Sequence, residues 1–365
     1  MVVLDQLLSA MIASRPKWCW HIAINEPARD RLPAFPNTTF HVYPHEKWDN
    51  WKVRLWYEFD LPNLIDLVDG NAIFSQTNYL PYRKLPCPSL LLVQNAGHFS
   101  ALFTRLVYAH SHRLMQKIAW RLKTQWVYNS VRRADQVTVQ TRALARKIQE
   151  ATKIPPNRIT VIPHGPGLAA GFSGSRTRCQ SAREFRIGYI SQHGVQKNFA
   201  VVFRAVARLR AKGFNTVLVL TLDEALAKNQ AILSQAQGLD VLSLIENHGD
   251  LPPPGVNALY DSIDAFVFPS LCESLGLPML EAMAHGLPLL ISMTESNTEI
   301  AGAAGLGFLP DDDLALSRWL RRLAEEPSFY AEQSLASSKR AAEFDWQVAG
   351  RETCDLLEDI GTFTR

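Results

Sequence analysis

Two glutamates frame the chemistry open to this chain. Glu273 and Glu281 lie in CESLGLPMLEAMAHGLPLL (272–290), a segment otherwise made mostly of apolar and small residues. A carboxylate at the edge of a buried segment is costly unless something bonds to it. The segment follows a strand-like run, AFVFPS. Pro278 suits the first turn of a helix, where its missing N–H is not needed. Gly286 is a natural helix stop, and Pro288 follows it. The order is therefore strand, loop, helix N-terminus, short helix, strand. Such an N-terminus offers free N–H groups and the positive end of the helix dipole to a phosphate. Gly276 lets the phosphate approach the backbone closely. Glu281, about one turn into the helix, can accept hydrogen bonds from two vicinal hydroxyls, as acidic residues do for ribose. Glu273, ahead of the helix, can accept bonds from a sugar. The plainer alternative stays open, since a first-turn Glu is favourable through the dipole alone.

Lys197 is the matching cation. It sits in SQHGVQKN (191–198), a glycine-containing loop between a strand and a helix. A lysine there is mildly unfavourable with the dipole unless an anion joins it.

The elements around these residues alternate. WCWHIAIN, NAIFS, SLLLV, QVTVQ and RITVIP read as strands in the first half. FRIGYIS, TVLVLTL, AFVFPS, LPLLIS and GLGFLP do so in the second. Helical patterns separate most of them, which predicts parallel sheets covered on both faces. At 365 residues the chain is too long for one ordinary core. The expectation is α/β, with two doubly wound, Rossmann-like parallel-sheet domains facing a central cleft where ligands bind. The boundaries read as 1–165, a Gly, Ser and Arg-rich linker at 166–184, a second domain at 185–344, and a C-terminal helix at 345–365. That helix offers Trp346, Val348, Leu356 and Leu357 for packing and either closes the second domain or crosses back to the first.

A composition of 47% apolar and 20% charged residues excludes disorder, and a net charge of +3 does not by itself imply a nucleic-acid partner. The five cysteines are scattered with no C-x-x-C pair, which suits free thiols in a reducing compartment. No basic, apolar leader opens the chain, and no run of roughly twenty apolar residues is free of charge and proline. The expected location is the cytoplasm, with the inner face of a membrane as a surface to touch.

ESLGLPMLEAMAHGLPLL resembles the E-x7-E nucleotide-sugar motif of the family-four retaining glycosyltransferases, which have the GT-B fold. LYDSIDAFVFPS, ISMTESNTEIAGAAGLGF, RIGYISQHGVQKNFAVVFRAVARL, ADQVTVQTRALARKI and NRITVIPHG extend the likeness over about 134–346. The resemblance implies a retaining transfer of a hexose from a nucleotide diphosphate sugar to a glycan or lipid-linked glycan, in polysaccharide or lipopolysaccharide assembly. It implies that Glu281 holds the donor ribose and Glu273 contacts the transferred sugar. Ser274, Leu275 and Gly276 would line the diphosphate, and Lys197 would neutralise it as it leaves. It implies no cofactor and no required metal.

The chain also departs from that pattern. The family commonly has an Arg near Gln192, so a second phosphate cation must come from elsewhere, with His193 one source. After the strand SLLLV the family often has a His near the sugar; here Gln94 and Asn95 take that place, with His98 beyond as an acceptor-side candidate or a structural residue. His164 stands where the family has Asn and reads as a turn or interdomain residue. VVLDQLLSAMIAS looks like the helix after the family's first strand and Gly-rich loop, so that strand and loop are expected to be missing. SNTE (296–299) reads as a capping box in which Glu299 only caps a helix. Asp311 to Asp313 read as capping carboxylates.

Leu102, Leu106, Leu114, Ile118, Leu122 and Trp126 read as the apolar stripe of one long helix. Arg105, Arg113, Lys117, Arg121, Lys123, Arg132 and Arg133 surround it, with no acid before Asp135. Either the stripe packs on the first sheet and the cations are solvated, or the helix meets anionic headgroups or a diphosphate-linked acceptor. Nucleic acid is not expected, because no recognisable set of aromatic stacking positions goes with the charges. Two other function classes compete: another GT-B enzyme, such as a sugar-nucleotide epimerase or a pyridoxal-dependent phosphorylase, and a degenerate nucleotide-sugar-binding scaffold.

Overall fold

Ten apolar runs become strands, and two further strands bring the number among the described residues to twelve, all in parallel sheets. In a computed structural model, residues 2–43, 50–111, 113–168, 174–177 and 184–361 are described, with the backbone alone for Val2, Asn50 and Trp51. Much of the 166–184 linker, with Cys179, lies outside them. The chain divides into two units, one of 1–99, 111–164 and 345–365, the other of 100–110 and 165–344. The last helix therefore belongs to the first unit, and the helix Ala101–His110 to the second.

The first unit contains β1 (Trp20–Asn25), β2 (Thr38–Tyr43), β3 (Ile73–Ser75), β4 (Ser89–Leu92), β5 (Gln136–Val139) and β6 (Ile159–Val161). They form a two-stranded sheet, β1-β2, and a four-stranded sheet in the order β3-β4-β5-β6. β4 is buried throughout, as its SLLL sequence requires, whereas β1 alternates and is partly exposed. The helices Val2–Ser14 and Trp346–Ile360 pack tightly together. Gly350 permits this, because a Cβ there would meet the Ala10 Cβ at 2.6 Å. Arg15 clamps the same pair through Asp355 at 2.5 Å and Glu358 at 2.8 Å. Of the expected packing residues, Trp346 and Leu357 are buried, but Val348 faces outward at 38% exposure. His164 is buried against the Trp346 ring, and burial pushes its imidazole down to about 3.

The second unit is a six-stranded sheet of β7 (Phe185–Tyr189), β8 (Thr216–Leu220), β9 (Ile245–Asn247), β10 (Ala265–Phe268), β11 (Leu289–Ser292) and β12 (Gly305–Phe308). Its order is β12-β11-β10-β7-β8-β9. From β7 the chain winds outward through β8 and β9, then returns to β10 and winds the other way. The order thus reverses between β7 and β10, and ligands of such sheets bind at that point, outside the carboxyl ends of the strands. A continuous core of Phe185, Tyr189, Phe203, Phe266, Phe268 and their neighbours holds the sheet against its helices.

Two expectations fail here. The long basic helix is two helices, Ala101–His110 and Leu114–Arg133, which fall in different units. The buried face of the second is Trp126, Val127, Ser130 and Val131, while Leu114, Ile118 and Leu122 are exposed. Of the stripe's residues in this helix, Trp126 alone is buried, and Leu114, Ile118 and Leu122 stay uncovered. Spacings of four and eight mark one face of a helix, but they do not say whether that face is covered. The SNTE box is also absent. Thr294 caps the helix Glu295–Ala301 by accepting from the Asn297 N–H, so Ser296 and Glu299 lie inside the helix. Asp312 does cap the helix Asp313–Glu325, accepting from the Ala315 N–H at 2.8 Å. Asp313 binds Arg204 and Arg208 instead.

Candidate functional site

The two loops at the switch point are joined before any ligand is considered. The loop after β7 carries Lys197, and the loop after β10 carries Glu273. The Leu271 N–H donates to the Gln196 carbonyl at 2.9 Å. Tyr189, buried at the end of β7, donates its hydroxyl to the Lys197 carbonyl at 2.7 Å. On the other side, Asn297 donates its amide to the carbonyls of Ser270 (2.9 Å) and Ser292 (3.1 Å). The Ser292 hydroxyl donates to the Ser270 carbonyl at 2.6 Å. These buried bonds fix the ends of β10 and β11 and hence the loop between Ser270 and Gly276.

Lys197 and Glu273 meet directly. The Lys197 Nζ lies 2.8 Å from the Glu273 Oε1, and both side chains are mostly buried, at 15% and 16% exposure. The Ser270 hydroxyl donates to the same oxygen at 2.6 Å. The ammonium also stands 5.6 Å from the centre of the Phe268 ring, a cation–π contact.

Gly276 has a left-handed conformation (φ 75°, ψ 60°) and opens the helix Leu277–Ala284. A Cβ there would lie 2.6 Å from the Met279 Cε and 3.1 Å from Phe268. The Met279 N–H closes the first turn on the Gly276 carbonyl at 2.8 Å. Pro278 has no N–H, and the amides of Ser274, Leu275 and Gly276 precede the helical ladder. Among the described residues no protein acceptor is found for those three.

Glu281 is 8% exposed. Its Oε2 accepts from the Tyr260 hydroxyl at 2.8 Å. Burial pushes the Glu281 carboxyl above the usual carboxylate range, and the Tyr260 bond offsets some of that rise. Tyr260 is itself held from behind. Its ring stacks on His285 at 5.1 Å, and His285 bonds Asp261 at 2.9 Å. Arg176 donates to the carbonyls of His285 (2.7 Å), Ile263 (3.1 Å) and Tyr260 (3.1 Å). Arg176 thus grips the second unit, although the composition around it reads as linker.

Gln192 is exposed, and its amide donates to the Thr221 carbonyl at 2.9 Å. Burial, Lys228 and His110 hold the His193 imidazole below its ordinary value. Of the first-unit candidates, Gln94 and Asn95 donate their backbone N–H groups to the Asn78 Oδ1 at 2.6 and 3.1 Å. Asn95 is exposed. His98 is buried, stacked on Trp120 at 4.4 Å and sharing a hydrogen bond with Thr124 at 2.9 Å. Burial and Lys123 push its imidazole down to about 4. Among the described residues no three His, Cys, Asp or Glu side chains gather to hold a metal ion.

Sequence reasoning missed Tyr260, Arg176, Ser270 and Asn297. Tyr260 falls twenty-one residues before its partner, a separation that no local spacing rule covers. Asn297 was readable only within a helix start.

The fold is GT-B. Residues 184–326 match the family model described as Glycosyl transferases group 1. The chain is 28% identical over 225 residues to the serotype-specific mannosyltransferase WbdA of Escherichia coli, a match taking in 59% of this chain and 27% of that protein. The chain thus spans about a quarter of that relative's length. Among solved structures it is similar to WaaG, a glycosyltransferase involved in lipopolysaccharide biosynthesis, with TM-score 0.67 and 14% identity over 96% of this chain and 94% of WaaG. It is similar also to Anabaena Alr3699/HepE, solved with UDP and glucose, with TM-score 0.66 and 15% identity over 93% of this chain and all of that one (100%).

Proposed function

We propose that this chain is a retaining glycosyltransferase. It moves a hexose from a nucleotide diphosphate sugar to a hydroxyl of a glycan or lipid-linked glycan, in polysaccharide or lipopolysaccharide assembly. The observation that carries this reading is the Lys197–Glu273 pair at the sheet's switch point, beside the helix that bears Glu281. An ammonium, three amides ahead of a helix and a close-approach glycine suit a diphosphate. A tyrosine-oriented carboxylate suits the ribose diol, and Glu273 suits a sugar hydroxyl. Gln192 and His193 flank the donor from the β7 loop, and Gln94, Asn95 and His98 mark the acceptor-side loop. The match to group 1 glycosyl transferases and the HepE complex with UDP support the donor class.

In the reaction the bond from the anomeric carbon to the diphosphate oxygen breaks. Lys197 leaves Glu273 and neutralises the charge that grows on the departing diphosphate. The acceptor oxygen bonds to the anomeric carbon on the face the diphosphate leaves, and its proton passes to a diphosphate oxygen. Glu273 orients the sugar and forms no covalent bond. No metal takes part in this scheme.

The test is a donor panel of GDP-mannose, UDP-glucose and UDP-N-acetylglucosamine, with nucleotide release measured and the product anomer read by NMR. Release with a retained anomer, lost in Glu281→Ala, is expected. Nucleotide binding without turnover of any donor, over a range of acceptors, supports the scaffold reading instead. An inverted anomer refutes the retaining step.

A further inference from the structure

We infer that Arg176 is a positioning residue for Glu281, and that through it the segment leading into the second unit responds to the ribose site. That role rests on the reading of Glu281 as the carboxylate that holds the donor ribose. Glu281 and the tyrosine that orients it stand on different helices. Tyr260 lies near the end of the helix Pro253–Ser262, and Glu281 lies on Leu277–Ala284. The 2.8 Å bond between their side chains holds only while the two helices keep their spacing.

One guanidinium sets that spacing. The last carbonyls of a helix lack partners within it, and the dipole there favours a cation. The Arg176 Nε donates to the carbonyl of His285, which follows the Glu281 helix, at 2.7 Å. Its Nη1 and Nη2 donate to the carbonyls of Ile263 and Tyr260, both at 3.1 Å, at the end of the other helix. Arg176 thus holds the backbone of Tyr260 itself. It also holds His285, one turn from Glu281, whose carbonyl accepts from the His285 N–H at 3.0 Å. The side chains repeat the link. Arg176 pairs with Asp261 at 3.3 Å, Asp261 bonds His285 at 2.9 Å, and the His285 ring stacks on Tyr260. A planar fork with its N–H groups in fixed directions can serve three carbonyls of two helices at once.

Arg176 belongs to neither helix and to no strand. It lies between Gly165, where the chain enters the second unit, and β7. Its side chain is 16% exposed, yet Ser175 and Thr177 on either side are exposed. The segment is seated by a few bonds. The Arg176 N–H donates to the Ser334 hydroxyl at 2.6 Å, and the Ser175 hydroxyl donates to the Ala331 carbonyl at 2.8 Å. Ser334 in turn donates to the Gly286 carbonyl at 2.6 Å, beside His285. Coupling between two sites is reciprocal. If a seated Arg176 improves the grip of Glu281 on a ribose diol, a bound ribose diol keeps Arg176 seated.

Two measurements on the full chain test this. Trypsin cuts after Arg176 only when the guanidinium has left its carbonyls. The initial rate of cleavage between Arg176 and Thr177, read by mass spectrometry, therefore reports the seat. Saturating UDP or GDP should slow it at least about fivefold, and the 2′,3′-dideoxy forms should not. Calorimetry then compares each diphosphate with its dideoxy form. Wild type should prefer the ribose form at least about tenfold, which one hydrogen bond to a charged group supplies. In Arg176→Gln and in Tyr260→Phe that preference should be largely lost, while affinity for the dideoxy form is kept. By reciprocity, the loss of affinity in Arg176→Gln should match the protection from trypsin in size. Preference kept in either variant, or cleavage at Arg176 that the ribose form slows no more than the dideoxy form, overturns the inference and leaves the ribose reading standing. A wild type with no preference for the ribose form defeats the ribose reading and the inference with it. The trypsin arm uses wild type alone, so it decides the matter even where Arg176→Gln does not fold.

Discussion

Glu281→Gln separates a ligand carboxylate from a structural one, because the two roles predict opposite signs. The side chain is almost fully buried, and it accepts a hydrogen bond from the Tyr260 hydroxyl. Burial raises its pKa. A carboxyl whose pKa is raised by folding keeps its proton longer in the folded chain than in the unfolded one. Stability is therefore lost as pH rises from the unfolded value through the folded one, and the loss persists at neutral pH. The amide introduced by Glu281→Gln has nearly the same shape, can still accept from Tyr260 through its oxygen, and carries no charge to desolvate. The variant should be more stable at pH 7.5 by about 0.5–2 kcal/mol, the usual gain when a functional strain is relieved. For a unit the size of the second one that is a rise of roughly 2–4 °C in Tm per kcal/mol.

Nucleotide affinity should move the other way. A hydrogen bond to a charged acceptor contributes about 1 kcal/mol more than one to a neutral acceptor. Two ribose hydroxyls on Glu281 then amount to roughly 2 kcal/mol, or about 30-fold in Kd. Thermal melts of wild type and variant give the first quantity, and calorimetry with UDP and GDP gives the second. In wild type the affinity should also fall as pH drops through the raised carboxyl pKa, and in Glu281→Gln it should not. A variant that melts lower and binds nucleotide as wild type does would show Glu281 to be a packing residue, and the donor-site assignment would fail.

Lys197→Ala should lower kcat by about 10²–10³, the usual loss when one stabilising donor is removed from a developing anion. Quenched time courses of nucleotide release check this, and a change confined to KM would refute it. Gly276→Val should cost both stability and nucleotide binding, because the left-handed backbone and the Met279 and Phe268 contacts leave no room for a side chain. Melting with and without nucleotide measures both. Gly350→Leu should destabilise the first unit by several kcal/mol, as overpacking against Ala10 and Met11 must push the paired helices apart. Urea unfolding followed by tryptophan fluorescence reads this, while nucleotide binding to the second unit should persist.

Most of the second unit was legible in the sequence for a plain reason. Its strands are short, fully apolar and bounded by Gly, Pro or Ser, so AFVF and LLIS admit few other readings. The site's own loop was legible too, because Pro278 and Gly276 make strong local demands on the backbone. β2 and β9 escaped. TTFHVY alternates on a half-exposed sheet, and IEN has only three residues, so neither offers a continuous apolar run. The helix at 114–133 misled because amphipathic spacing reports a face and not its partner. Glu299 misled because Ser296 and Thr294 both suit a cap, and the backbone begins the helix two residues earlier than the box required. Long-range polar partners such as Tyr260 and Arg176 have no periodicity to read.

The Lys197–Glu273 pair bears on how the site keeps its charges. Two mostly buried ions that bond each other can stay ionised without a ligand, each offsetting the other's lost hydration. Ser270 adds a second donor to Glu273, so the carboxylate keeps a partner if the ammonium turns away. The lysine's backbone is held by Tyr189, and its loop is tied to the Glu273 loop through Gln196 and Leu271. Its long side chain is therefore the movable element, on a fixed base. A diphosphate arriving at the Gly276 amides carries more negative charge than Glu273 and can draw the ammonium across. Glu273 is then left with Ser270 and a free acceptor oxygen for a sugar hydroxyl. Exchange of one partner for another needs neither proton transfer nor backbone strain, and it couples the two residues. Glu273→Gln should therefore weaken donor binding less than Lys197→Ala, because it frees the cation while removing only the sugar's acceptor. If a double-mutant cycle finds the two losses in donor affinity simply additive, the pair does not work by exchange, and Lys197 and Glu273 act on the donor independently.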